Sequence, residues 1–434
     1  MNRLGFRDSA NVTAFTDWFA KRYSGLSISL DIKRSRFVPQ GIQAELIGLD
    51  ELVQHYCWRT QESDSGDWAE TQDSLRKMGD ALKQAIDSKR DSDVLAACRD
   101  ILAWGGNRNP RNGALPFLEN LHAQGKLADY LITTRQAFAL EDAVIDPSRA
   151  HAAKMNSMLT KVHALASTDG LPIYDSRVAA AIATLVELWR HEQAFTHTPL
   201  PPELTFPATT LARSVFCLFD DARDPGVMSY APGARAVTAA RWSSAKIRLG
   251  WLMAAILEKA PHLFGTAPAP ERMHAFEASL FMIGYDVSCL QANRSSAGRG
   301  QFTLARLQKA GLNQLRQEHE GLQHKSICTL TGDQRNVHYA GDAETGFSGV
   351  WSETPFAFDS EFLQDLLSDF PTGQTAGLGA AMDGTVAPDT LGHWIDQHYP
   401  RMSRRFVSAL APILVAEGLA ERCGDTRPIR LRFL

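Results

Sequence analysis

The informative absences come first. The six cysteines, Cys57, Cys98, Cys217, Cys289, Cys328 and Cys423, are scattered, form no C-x-x-C pair and have no histidine at ligand spacing. That argues against a structural zinc or iron–sulfur site, and buried, reduced thiols are expected instead. No run of about 18 apolar residues occurs, the length a membrane-spanning helix needs. The opening stretch MNRLGFRDSANVTAFTDW lacks the uninterrupted apolar core of a signal peptide. A cytoplasmic protein with no membrane partner, no metal and no cofactor is therefore expected. There is also no excess of positive charge: the formal net charge is −4 over 434 residues, so any nucleic-acid surface must be regional.

What is present is an ordinary soluble composition, 44% hydrophobic and 22% charged, in a chain long enough for two or three domains without staples. SGLSISLDIKRSRF alternates Leu26, Ile28, Leu30 and Ile32 with small or polar residues, the period-2 signal of a half-buried strand. GIQAELIGL reads as a second strand. From about Asp50 to Leu290 the pattern is mostly helical. Beyond Asn293 the composition turns to Gly, Ser, Gln and Arg, and PTGQTAGLGAAMDGTVAP has the small-residue content of a linker. The tail reads helix, helix, Gly-Asp turn and strand, a winged-helix-like module in which Arg401, Arg404 and Arg405 lean weakly towards phosphate contact. The expected organisation is mainly α: a β-containing segment (1–50), a helical body (51–292), a mixed α/β region (293–370), a linker (371–388) and the module (389–434). No repeat is visible.

One stretch carries chemistry. Pro147 and Ser148 open a helical pattern in which Met155, Met158, Leu159, Val162 and Leu165 recur at three- and four-residue steps, while Lys154, Ser157 and Lys161 share another face. The pattern closes at STDG, with Gly170 as a left-handed cap, and LPIY then crosses the core to Asp175 at the start of a helix, DSRVAAAI. Two roles compete for Asp175. As an N-cap its carboxylate accepts from the N–H groups of Arg177 or Val178, worth about 1 kcal/mol. As a catalyst it presents negative charge to a substrate.

The order helix, turn, short crossing segment, acid and helix resembles the heart of the helix-hairpin-helix DNA glycosylase superfamily, whose corresponding stretch runs P-V-D-x-H-V. It looks most like the branch with the 8-oxoguanine DNA glycosylase fold. ILAWGGNRN, KVHALAS…LPIYDSRVAAAI, RLGWLMAAI and FEASLFMIGYD are similar to blocks of its bacterial members, over roughly residues 95 to 290. The nearest functional analogy is to prokaryotic antiviral glycosylases that remove glucosylated hydroxymethylcytosine from phage DNA. The resemblance implies that Asp175 stabilises the positive charge developing on the deoxyribose as the base departs and helps a water attack the anomeric carbon, as a carboxylate does in glycoside hydrolysis.

Two departures matter. The superfamily's L-P-G-x-G hairpin, whose amides hold a phosphate, has no counterpart before AAKMNSMLTK. The Schiff-base lysine of bifunctional members falls in register near Asn156 and Ser157, with Lys154 and Lys161 on either side, so the resemblance implies a monofunctional enzyme. Lys161 stands as the alternative nucleophile, or else as a solvent-facing or phosphate-binding lysine.

A glycosylase everts its target base into a pocket. Trp104 with Gly105 and Gly106, together with Tyr174, are candidates for that pocket, because glycine lets backbone approach a ligand closely; Trp242 and Trp251 read as core or pocket. Between Pro225 and Leu257 there is no acid, yet Arg235, Arg241, Lys246 and Arg248 are present. With Arg177, Arg108, Arg111 and the Lys33, Arg34 and Arg36 group, they are the candidate contacts to double-stranded DNA. The expected function is hydrolytic release of a modified base in antiviral defence. The alternatives are a non-catalytic nucleic-acid binder on the same fold and a bifunctional repair enzyme acting on oxidised guanine.

Overall fold

The computed structural model describes the chain apart from residues 61–65, 107–112, 147–149, 196–197, 209–218, 220–221, 224, 226–234, 292–324, 331–335, 345, 352–353, 382–385, 400–401 and 425–427, and apart from the side chains of 235–238, 291, 336 and 354–355. The expected loop arginines Arg108 and Arg111, the side chain of Arg235, Cys217 and the residues Pro147 and Ser148 thus lie outside the described set. The protein is mainly α with small sheets. It divides into two compact units, one of residues 1–209, 213–228 and 235–299, the other of 210–212, 229–234 and 300–434.

In the first unit, α1 (Arg3–Arg7) and α2 (Ala10–Arg22) precede the sheet, so the N-terminal segment is helical before it is β. Strands β1 (Ser27–Ile32) and β2 (Ile42–Ile47) then pair antiparallel from Ser27↔Ile47 to Ile32↔Ile42. The alternation read in β1 is real, since Ile28, Leu30 and Ile32 are buried and Asp31 is exposed. Helices α3 (Trp68–Ser88), α4 (Asp91–Trp104), α5 (Ala114–Ala123), α6 (Leu127–Ala137) and α7 (Leu159–Ala166) enclose one core of residues such as Leu82, Val94, Leu118, Leu131 and Val162. The Asp67 carboxylate caps α3 by accepting from the Glu70 N–H at 2.9 Å, and Glu70 reaches back to the Gly66 N–H at 2.7 Å, a reciprocal closure of the helix start.

The pattern beginning at Pro147 predicts a helix through Ala166, but the helix begins only at Leu159. The Asn156 side chain is the cause: Oδ1 accepts from the N–H groups of Met158 and Leu159 at 3.0 and 2.7 Å, offering the backbone a turn in place of helix. The next helix, α8 (Ser176–Glu192), is buried around its whole circumference from Ser176 to Val186, and four alanines among those residues allow the close packing this requires. Helices α9 (Arg235–Lys259) and α10 (Ala269–Ile283) complete the unit.

His163, inside α7, supplies a pH handle. It is 2% exposed, and burial, with the Lys246 charge second, pulls its pKa from the ordinary 6.5 down to about 3. The folded protein therefore holds a neutral ring where the unfolded chain takes up a proton. Its contribution to stability is intact above about pH 6.5 and is lost as pH falls towards 3, on the order of 4 kcal/mol in all. Unfolding by urea between pH 7 and 3 is expected to show this acid-limb loss in the wild type and a flatter limb in His163→Phe.

In the second unit, β3 (Lys325–Cys328), β4 (Asn336–Asp342), β5 (Gly346–Trp351) and β6 (Thr354–Asp359) form an antiparallel meander. There follow α11 (Ser360–Asp369), β7 (Thr375–Gly377), α12 (Leu391–His398), α13 (Val407–Ala416), β8 (Ala420–Cys423) and β9 (Arg430–Phe433), with a second sheet in the order β7-β9-β8. Helix, strand, helix, helix, strand, strand, with the first strand beside the last, is winged-helix connectivity. The segment expected as a linker therefore supplies a strand, and the mixed region supplies the module's first helix. Phe347 and Phe358 of the meander share one core with Leu410, Ile413 and Leu431 of the module. Helix α13, which holds the reading position of a DNA-binding winged helix, has no charged residue and is buried over most of its length. Of the flanking arginines, Arg404 is paired with Asp396 at 2.9 Å and Arg405 is exposed, while Arg401 lies outside the described residues.

Candidate active site

Asp175 caps a helix from a buried position beside an amine. After α7 the chain turns at Gly170, whose φ of +82° is one that glycine adopts without strain. Leu171 to Tyr174 then cross the interior in non-regular, buried conformation. Asp175 follows in extended geometry, and its Oδ1 accepts from the N–H groups of Arg177 and Val178, both at 3.0 Å. The capping role is thus present. It occupies one oxygen; the other, Oδ2, lies 3.8 Å from the Lys161 ammonium. Both residues are buried, at 4% and 6% exposure.

Lys161 sits in the first turn of α7 and donates to the Ser157 carbonyl at 3.0 Å. Burial lowers its pKa; the Asp175 carboxylate opposes the fall, Arg177 adds to it, and Glu277 opposes it. The reading of Lys161 as solvent-facing is corrected: every residue of α7 from Leu159 to Ala166 is buried, so no face of the helix is left to solvent and Lys161 lies against Gly105. A methyl group on Gly105 would lie 2.8 Å from Lys161 Cδ, so the Gly105–Gly106 pair does permit a close approach, by a protein lysine. Gly106, at φ +84°, fits similarly under the Phe37 ring.

Arg177 is expected to contact DNA phosphates, but it is buried. Its guanidinium lies over the rings of Tyr285, Phe281 and Trp58 at 4.6, 5.1 and 5.7 Å. Trp58 stacks on Phe37 at 3.8 Å and donates from Nε1 to the Trp104 carbonyl at 3.0 Å. Such cation–ring contacts stabilise a guanidinium that has left water. A second polar group holds the segments that lead to Lys161 and Asp175. Lys246, expected on the DNA backbone, is fully buried and donates to Thr160 O, Thr160 Oγ1 and Pro172 O at 2.9, 3.0 and 2.6 Å. Burial brings its pKa down to about 7, with Glu277 opposing. The helical phase carried the warning, because Lys246 falls in step with Trp242, Leu249 and Met253 on the buried stripe of α9. Glu277 and Thr160, which sequence reasoning passed over, belong here too; Glu277 Oε2 accepts from the Ile173 N–H at 2.8 Å.

The remaining expected residues separate cleanly. Tyr174 is fully buried and donates its hydroxyl to Pro207 O at 2.7 Å, so its ring is core and not pocket wall. Trp242 and Trp251 are core, donating to the carbonyls of Tyr174 and Leu140 at 2.8 and 2.6 Å. Trp104 is half-buried against the α3–α7 core. Arg248 is half-buried, donating to Thr205 O at 2.7 Å, and Ser244, one turn before it on α9, is buried. Arg241 is exposed, as are Lys33, which pairs with Asp31, and Arg34; Arg36 is half-buried over Phe37. Among the described residues there is no group of three or more His, Cys, Asp or Glu that could hold a metal ion, and no helix is long and apolar enough to cross a membrane.

No protein-family profile, curated protein or solved structure matches the chain. The chemistry must therefore be judged from the side chains themselves. A carboxylate with one oxygen fixed by two backbone amides and the other facing an amine can stabilise a developing cation, orient a water, or hand a proton between oxygen and nitrogen.

Proposed function

We propose that the protein is a DNA N-glycosylase in which Asp175 stabilises the oxocarbenium-like transition state of a departing modified base. The observation that carries this reading is the Asp175–Lys161 pair, buried at the start of α8, with Asp175 Oδ2 left clear of the capping bonds. In the reaction the C1′–N bond breaks with its electrons leaving on the base. A water oxygen bonds to C1′, one of that water's protons passes to the surrounding groups, and the base takes up a proton. At 4% exposure, Asp175 meets a deoxyribose only when side chains around it yield to the everted nucleotide. The substrate class is taken from the functional analogy to antiviral glycosylases: a base peculiar to phage DNA, such as glucosylated hydroxymethylcytosine.

One geometric observation favours a second reading. Lys161 Nζ is close to Asp175 Oδ2 and its pKa is lowered, which suits an amine nucleophile. Here nitrogen displaces the base at C1′, and the aminal opens to a Schiff base that borohydride reduces to a stable protein–DNA adduct.

Both readings are tested on the purified protein with plain, oxidised, hydroxymethylated and glucosylated phage DNA. Mass spectrometry of the filtrate is expected to find free modified base, with abasic sites left in the strand and no adduct after borohydride. An adduct that vanishes in Lys161→Met would establish the amine route instead. Absence of free base from every DNA would remove both.

A further inference from the structure

We propose that Lys246 and Thr160 are positioning residues that together clasp Lys161 against Asp175; the inference rests on the assignment of that pair as the reacting groups. Thr160 is the residue before Lys161, and Tyr174 is the residue before Asp175. Thr160 Oγ1 accepts from the Tyr174 N–H at 3.0 Å and from Lys246 Nζ at 3.0 Å. The same ammonium takes the Thr160 carbonyl at 2.9 Å and the Pro172 carbonyl at 2.6 Å. One hydroxyl and one ammonium thus join the two chain segments immediately upstream of the acid and the amine.

The network extends in a way that separates a positioning role from a stray buried bond. The crossing segment 171–174 has no helix or strand to satisfy its backbone, and buried backbone groups need partners. Side chains supply them: Lys246 for Pro172 O, Glu277 for Ile173 N–H, Thr160 for Tyr174 N–H and Trp242 for Tyr174 O. Two of the four, Trp242 and Lys246, stand one turn apart on α9. The height and direction at which the chain delivers Asp175 to α8 are therefore set by side chains of three other helices, α7, α9 and α10. Thr160 and Lys246 are both 0% exposed, so neither meets DNA. The three donors of the ammonium have three acceptors, a saturation that an apolar side chain of the same length cannot reproduce.

Thr160→Val, its conservative counterpart Thr160→Ser and Lys246→Met in the full chain test the clasp. Three quantities are read: DNA affinity, single-turnover base release, and the rate of reductive methylation of Lys161 followed by peptide mass spectrometry. Thr160→Val is nearly isosteric and keeps the experiment decisive if Lys246→Met does not fold. In the valine variant methylation of Lys161 is expected to speed up, and base release to slow, by about tenfold or more, the scale of leaving the two buried donors to Thr160 Oγ1 without that acceptor. DNA affinity stays at the wild-type value and serine restores both rates. A folded valine variant whose Lys161 methylates at the wild-type rate overturns the clasp, whatever happens to base release. Faster methylation with unchanged release also overturns it, since the network would then hold structure without serving the reaction. If the wild-type protein releases no base while Lys161 methylation still responds to valine and not to serine, the clasp stands and the glycosylase assignment falls.

Discussion

Asp175→Asn is expected to lower single-turnover base release by about 10²–10³-fold, the cost of removing one preorganised electrostatic contact to a transition state, while leaving the DNA dissociation constant unchanged. Asparagine separates the two roles of this position. Its side-chain oxygen caps a helix about as well as that of aspartate, so the bonds from the Arg177 and Val178 N–H groups persist. What disappears is the charge facing Lys161 at 3.8 Å. Because the Asp175 carboxylate is an influence that raises the lysine's pKa, Lys161 sheds its proton more readily in the variant and is not left as a bare buried cation. The stability loss is thereby held to about 1–2 kcal/mol. A denaturation curve and a binding isotherm run beside the release assay check each part. A non-catalytic DNA binder would show the same denaturation change and an unaltered isotherm, with no base released by either protein.

A second large effect is expected at Gly284, which closes α10. A methyl group built there lies 2.1 Å from the Arg177 carbonyl oxygen and 2.4 Å from its carbonyl carbon. The obstacle is backbone in the first turn of the helix that Asp175 caps, so it cannot swing aside as a side chain can. Gly284→Ala is expected to cost about 3 kcal/mol or more through overpacking and to displace the start of α8, reducing base release along with stability. Gly250→Ala supplies the contrast. Its methyl would crowd Leu140 Cδ2 at 2.6 Å, the far end of a flexible side chain, and a smaller loss in denaturation midpoint is expected.

The mainly α architecture, the first two strands and the place of Asp175 were all legible because each rests on a local rule: alternation in Leu26 to Ile32, an acid before an alanine-rich helical run, glycine at a turn. Winged-helix connectivity was legible from the tail in part. β7 escaped notice, since a three-residue strand in a Gly- and Thr-rich stretch looks like linker and exists only because β9 pairs with it. The helical pattern from Pro147 overran, because periodicity in Met155 and Met158 says nothing of an Asn156 side chain competing for the same amides. Lys161, on the polar face of that pattern, stands beside Asp175 because α7 is enclosed on every side.

The residues expected to face DNA were the least legible. Charge was read as exposure, whereas Arg177 is enclosed by aromatic rings from Trp58, Phe281 and Tyr285 and Lys246 by three oxygen acceptors. Ring enclosure draws on residues more than 100 positions away, and no local pattern announces it. The position of Lys246, by contrast, was readable from its phase on α9. Arg241, Lys33, Arg34 and Arg405 remain the exposed cations among those named, and any grip on phosphates by the described residues falls to groups of this kind.

The central claim, that Asp175 faces the sugar of an everted nucleotide as well as its own helix, is tested most directly by a crystal structure of Asp175→Asn bound to duplex DNA carrying glucosylated hydroxymethylcytosine. The account predicts the modified nucleotide out of the stack with its C1′ about 3.5 Å from the side chain at position 175, and the Lys161 amine on the same side of the sugar. A complex in which the duplex lies elsewhere, with residue 175 still sealed in the packed interior and no nucleotide everted towards it, would contradict the account.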